Sequence, residues 1–197
     1  MIIGNPSRFA VEFHILKAYA ELHSRALGCF FYHVNGVRYG VDEPDASWLA
    51  NTFDEVERSV LRRGFFIGEI FEDWSAEQVV LAIEKSIYED IPEDTPFNGV
   101  ALWEVSQLIY RNRLLLAPDG DEVFDDGSHL IQLESGTSVR IVAGKLLTRE
   151  GKPVIRDVSQ VVLSDVDFYG ILEGFLFEFE RVRKRLLEQS VKDSSES

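Results

Sequence analysis

The sequence predicts an α+β domain, a largely antiparallel sheet with helices packed on one face and a long C-terminal amphipathic helix. Three observations carry this. Asn35-Gly36 joins two apolar runs, the signature of a tight hairpin between antiparallel strands. Period-two alternation recurs along the chain, and strands outnumber the helices that interrupt them, an order typical of α+β folds. Near the C-terminal end, Phe168, Ile171, Leu172, Phe175, Leu176, Phe179, Val182 and Leu186 recur at helical spacing and define a stripe that has to be buried.

In chain order, Phe9, Val11, Phe13 and Ile15 alternate with Ala10, Glu12 and His14, which predicts a half-buried strand. A less regular stretch follows, with room for a short helix. Residues 29–34 and 37–41 then flank Asn35-Gly36, both of which tolerate the positive φ of a type I′ turn. From Asp45 or Ser47 to Arg63 the pattern is helical, with Leu49, Phe53, Val56 and Val60 on one side and Gly64 as a stop. Residues 65–71 read as a strand. Ser75 and Gln78 have capping-box spacing, and a second helix runs from there to about Glu89.

Two prolines and four acids in residues 89–96 predict a surface loop. Residues 101–116 read as strand on their Trp, Val, Ile and Tyr content, with helix as the alternative. Residues 119–127 form an acidic turn, 129–134 and 137–143 a second hairpin, and 154–163 a further strand. The last helix starts at Ser164 or Asp165, either of which can cap it, and runs to Leu187, with basic residues near its negative end. One domain over residues 1–189 and a flexible polar tail over 190–197 complete the expectation.

Composition narrows the function. With 34 acidic against 20 basic residues the net charge is −14, which opposes direct contact with nucleic acid or an anionic membrane. The same field speeds encounter with a basic protein, although acidity for solubility alone is the plainer reading. A single cysteine, Cys29, leaves no disulfide framework or cysteine zinc site, and no apolar run is long enough to span a bilayer, so a cytoplasmic protein is expected.

No catalytic motif is found, and an enzyme and a cofactor are not expected. The turn from Asp119 to Gly127 fails calcium-loop spacing, because Val123 and Phe124 occupy positions that need an oxygen ligand and a glycine. His14 and His33 near Glu12 could form a metal or acid-base pair, the alternative being the solvent face of a sheet. On the last helix, Gly170, Gly174, Phe177 and Arg181 line up opposite the stripe. Either another element of this chain packs there, or the face meets a partner or a second copy in a homodimer.

Several segments resemble the immunity protein 42 family of bacterial polymorphic toxin systems. They are Met1-Ile2-Ile3-Gly4-Asn5 with Arg8-Phe9-Ala10-Val11-Glu12, and Cys29-Phe30-Phe31 to Asn35-Gly36 and Gly40. Asp126-Gly127-Ser128-His129, Val139-Arg140-Ile141-Val142-Ala143, and Leu163-Ser164 with Asp167-Phe168-Tyr169 and Leu172 complete the set, while residues 72–113 match nothing in the pattern. The resemblance implies a cytoplasmic protein that binds the C-terminal toxin domain of a secreted effector and blocks it. It transfers no catalytic or contact residue. Charge adds a basic toxin, such as a nuclease, and points to Glu89, Asp90, Glu93, Asp94, Asp119, Asp121, Glu122, Asp125 and Asp126 as contact residues, with Trp74 or Trp103 as an anchor if exposed. The alternative is a non-enzymatic interaction or assembly adaptor acting through the last helix.

Overall fold

Alternation along β2 (Phe9–Ala18) sends Phe9, Val11, Phe13 and Ile15 to one side, where all four are buried. The computed structural model describes residues 1–43, 47–90, 92, 94–117, 120–149 and 152–195. β2 pairs on one edge with β1 (Ile2–Asn5) and on the other with β3 (Ala26–Val34), which in turn pairs with β4 (Val37–Tyr39) and the short β5 (Ser47–Trp48). Asn35 and Gly36 adopt φ of 50° and 84°, the double left-handed geometry that a type I′ turn needs. The stretch before β3 is a turn, not a helix.

Helix α1 (Leu49–Leu61) follows, with Leu49, Phe53 and Val56 buried. Trp48 takes the cap position without a side-chain bond, and Ser47 belongs to β5. Residues 65–71 correct the expected strand. They run without regular structure into a 3₁₀ helix at Glu69–Phe71, and only the Phe66 carbonyl, which accepts from the Glu134 amide at 2.8 Å, bonds as a strand would. Gly68 lies so close to Leu133 and Phe71 that an added Cβ would come within 2.6 Å of one and 2.9 Å of the other.

Helix α2 (Ala76–Ile83) has the expected capping box: the Gln78 amide donates to Ser75 Oγ at 3.2 Å and the Ser75 amide to Gln78 Oε1 at 2.8 Å. A π-helical turn, Glu84–Tyr88, extends it. After the two-residue strands β6 (Pro96–Phe97) and β7 (Val100–Ala101), which pair as a ribbon, the chain forms α3 (Leu102–Asn112), where composition favours a strand. The helix wins because Leu102, Val105 and Ile109 bury one face while Glu104, Gln107 and Arg111 stay in water, a division that period two cannot achieve.

β8 (Ser128–Ser135), β9 (Ser138–Arg149) and β10 (Lys152–Ser164) form a second antiparallel sheet. Among the described residues the strand pairs are antiparallel, in line with the largely antiparallel sheet expected, but the strands divide into two main sheets and a ribbon. A bulge in β10 puts Asp157 at φ 52°, and the Tyr39 hydroxyl donates to its carbonyl while sitting 2.7 Å from Ser159 Oγ. Burial holds the Tyr39 hydroxyl protonated up to about 12.

Helix α4 (Asp165–Ser195) is longer at its C-terminal end than the pattern suggested. Ser164 Oγ caps it, accepting from the Asp167 amide at 3.1 Å. Phe168, Leu172, Phe175 and Phe179 lie between the two sheets in one aromatic core with Phe9, Phe13, Phe30, Tyr32 and Phe53. Beyond the second sheet, α2 and α3 enclose a smaller core of Phe71, Trp74, Val79, Ile83, Val105 and Ile109. The three-stranded sheet is therefore covered on both faces: Leu130, Ile141 and Ala143 face the large core, Ile131, Leu133 and Val142 the small one. Gly144 lets α2 close in, since a Cβ there would sit 2.8 Å from Val80.

Two arginines tie the frame. Arg25 pairs with Asp54 at 3.0 Å and Glu180 at 2.7 Å and lies 4.0 Å over the Phe53 ring. Arg183, nearly buried on α4, donates to the carbonyls of Tyr19, Ala20 and Arg25, fixing the β2–β3 connection.

Candidate functional site

The two acidic segments approach one another in space. Tyr88, immediately before Glu89, lines a small cavity together with Gly120, Asp121, Asp125, Ser128 and His129. The π turn after α2 delivers one loop to this place, and the start of β8 anchors the other. Asp125 also borders a wider bay of about 480 Å³ with Val41, Glu43, Glu122 and Asp126.

Individual carboxylates in this region differ in role. Glu122 and Asp125 are exposed, as are Asp90 and Asp94 in the neighbouring loop. Glu89 pairs with Lys85 at 3.3 Å, and Asp126 accepts from Lys145 at 2.5 Å and from the Ser128 amide at 3.1 Å. Asp121, unlike its neighbours, is buried. It is 4% exposed and caps the 3₁₀ turn Glu122–Phe124, accepting from the Val123 amide at 3.1 Å and from Thr52 Oγ1 at 2.8 Å. Burial pushes its carboxyl up from the ordinary range, with the Thr52 and Val123 bonds opposing and Glu122 and Glu55 adding. Burial, then repulsion from Glu89, does the same to Glu84. Glu93 and Asp119 lie outside the described residues.

On α4 the predicted row separates. Gly174 faces Ile3 of β1, whose Cγ2 would meet an added Cβ at 3.0 Å, so β1 of this chain packs closely against the helix here. A Cβ added at Gly170 would meet no other element within 4 Å among the described residues. Phe177 is 69% exposed, and Arg181 pairs with Glu178 at 2.5 Å.

Of the tryptophans proposed as anchors, Trp74 is core, packed edge-on against Phe71 and Phe97. Trp103 is 47% exposed on α3. It borders a groove with Ile70, Leu108 and Arg111 that the sequence reading missed, because a strand over these residues scatters side chains that a helix aligns.

Other candidate chemistry resolves into structure. His33 Nε2 lies within hydrogen-bond distance of Glu12 Oε2, at 2.7 Å, on the outer face of the first sheet, and His14 is exposed on that face. Among the described residues, no group of three or more His, Cys, Asp or Glu could hold a metal ion, and no helix is long and apolar enough to cross a membrane. A groove of about 290 Å³ contains Arg140, but its guanidinium is committed to the Phe71 and Trp74 carbonyls and to Gln160.

A family model described as Immunity protein 42 matches residues 1–178. Among solved structures, the chain is similar to the crystal structure of CdiI from Burkholderia dolosa AUO158, with 17% identity, a TM-score of 0.56, and 90% of this chain and 99% of that chain covered. At that identity the likeness concerns the fold. No curated protein matches the chain significantly.

Proposed function

Because this chain belongs to the immunity protein 42 family, we propose that it binds and neutralises a cognate toxin domain in the cytoplasm, as a stoichiometric inhibitor without chemistry of its own. The observation that carries this reading is the family match over residues 1–178, nearly the whole folded frame. The contact face is acidic: Asp90 and Asp94 from one loop, Glu122 and Asp125 from the other, and Glu43 across the bay. Such a surface is complementary to a basic toxin, of which a nuclease is one kind, and accelerates its approach.

The decisive experiment expresses the toxin domain encoded beside this chain, with and without it. Growth is restored only when both are made, and the two copurify at one to one. A neighbour that is neither toxic nor bound overturns the reading.

Phe177, 69% exposed on α4, favours a second reading, an adaptor or homodimer paired through that helix. Sedimentation of the wild type and of Phe177→Asp decides it, and a monomer in both cases removes it.

A further inference from the structure

A tryptophan half in water on a well-formed helix is unusual, because its indole forgoes much of the gain that burial gives. Trp103 is such a residue, and its neighbours are arranged around it. Between α3 and the 3₁₀ helix Glu69–Phe71 runs a groove of about 280 Å³, lined by Ile70, Trp103, Glu104, Gln107, Leu108 and Arg111. Helical spacing puts Trp103 and Gln107 in one row and Glu104, Leu108 and Arg111 in the next, so an indole, a carboxylate and an aliphatic floor meet at one end. Arg111 stands about 10 Å further along the axis, at ~1.5 Å per residue.

We propose that this groove is the affinity anchor of the toxin interface and receives a lysine or arginine side chain of the toxin. The aliphatic stem lies on Ile70 and Leu108, and the cation sits between the Trp103 indole and the Glu104 carboxylate. Resting on the inhibitor reading above, this names the chemistry of the contact.

Two features of the molecule select this occupant. The segment that supplies Ile70 also carries Glu69, Glu72 and Asp73, all exposed, and Glu104 stands in the groove lining with the guanidinium of Arg111 at its far end. Glu104, the acids of this neighbouring segment and the chain's net charge of −14 together favour a cationic guest over an anionic one. The groove also adjoins the acidic loop: the Leu102 amide at the start of α3 donates to the Thr95 carbonyl at 3.1 Å, next to Asp94. Exposed carboxylates attract a basic surface over a distance, whereas an indole holds a cation only at contact. The two parts therefore act on different rate constants, the loops on association and the groove on dissociation.

The test measures binding of the purified toxin domain encoded beside this chain to wild type, Trp103→Ala, Trp103→Phe and Glu104→Gln by surface plasmon resonance. Urea midpoints confirm that these solvent-facing changes leave the fold intact. Trp103→Ala is expected to raise Kd about thirtyfold, almost entirely through a faster off-rate, the size typical of a hot-spot tryptophan. Trp103→Phe keeps a ring face and recovers part of the loss. Glu104→Gln weakens binding by about five- to tenfold, within the range for a single charged contact at an interface. Wild-type affinity in Trp103→Ala overturns the anchor while leaving the inhibitor reading intact, as does a loss confined to the on-rate. Failure of the wild type to bind removes both.

Discussion

Replacing Phe175 with alanine tests the aromatic core that holds α4 between the sheets. The Phe175 ring lies 5.4 Å from Phe13, 5.1 Å from Phe30, 6.1 Å from Phe53 and 5.6 Å from Phe179, and its side chain is fully enclosed. A buried Phe→Ala change costs about 3–5 kcal/mol in lost transfer energy and residual cavity. The four ring neighbours, each adding ~0.5–1.5 kcal/mol beyond area, put this site at the upper end, about 4–5 kcal/mol. Set against a total stability of ~5–15 kcal/mol, that is a large share. For a chain of this size it lowers Tm by about 8–20 °C. The control is Phe177→Ala, two residues on and facing solvent, expected to stay within about 0.5 kcal/mol of wild type. Urea unfolding followed by far-UV circular dichroism measures both, with m unchanged. Equal losses in the two variants, or less than about 1 kcal/mol for Phe175→Ala, refute the packing argument.

Two further outcomes follow from charge. Replacing Glu122 and Asp125 by glutamine and asparagine should slow association with the toxin and flatten its salt dependence while leaving the off-rate unchanged. Stopped-flow mixing at several salt concentrations measures this, and an unaltered on-rate means that the turn does not steer. Glu84 and Asp121 hold their protons more tightly folded than unfolded, from ordinary values of 4.5 and 3.8, chiefly because burial disfavours the charged form. Between those values and the raised folded ones the native state binds more protons, so their contribution to stability falls as pH rises through that window and stays at the lower level above it. Urea midpoints across pH should show this slope weakened in Glu84→Gln with Asp121→Asn. A slope equal to that of wild type would mean that these two groups are not its source.

Local signals in the sequence were reliable where a few neighbouring residues decide the geometry. Asn35-Gly36, the Ser75–Gln78 box and the α4 stripe are of this kind, since turn chemistry, a cap and a continuous apolar face need no knowledge of the rest of the chain. Residues 101–116 were harder to read because their strand-forming residue types are split between water and core. Trp103 and Tyr110 face water while Val105 and Ile109 pack, so composition suggested strand although the packed positions fit a helix. The strand expected at 65–71 failed because Gly68 and its crowded neighbours break the pairing after Phe66. Asp121 looked like its acidic neighbours, and only the approach of Thr52 from α1 makes it a buried cap. The Trp103 groove needs Ile70, more than thirty positions away in sequence, and no local pattern could have assembled it.

The division into a large and a small core separates two kinds of work. The Trp103 rim stands on the layer beyond the second sheet, whereas the phenylalanines that hold α4 lie on its other side, with β9 as the common wall. Substitutions that retune recognition on α3 can therefore accumulate without loosening the foundation, much as a lock may be recut while its door stays hung. An engineer seeking a new specificity would randomise the outward positions of α3 and leave the phenylalanines alone.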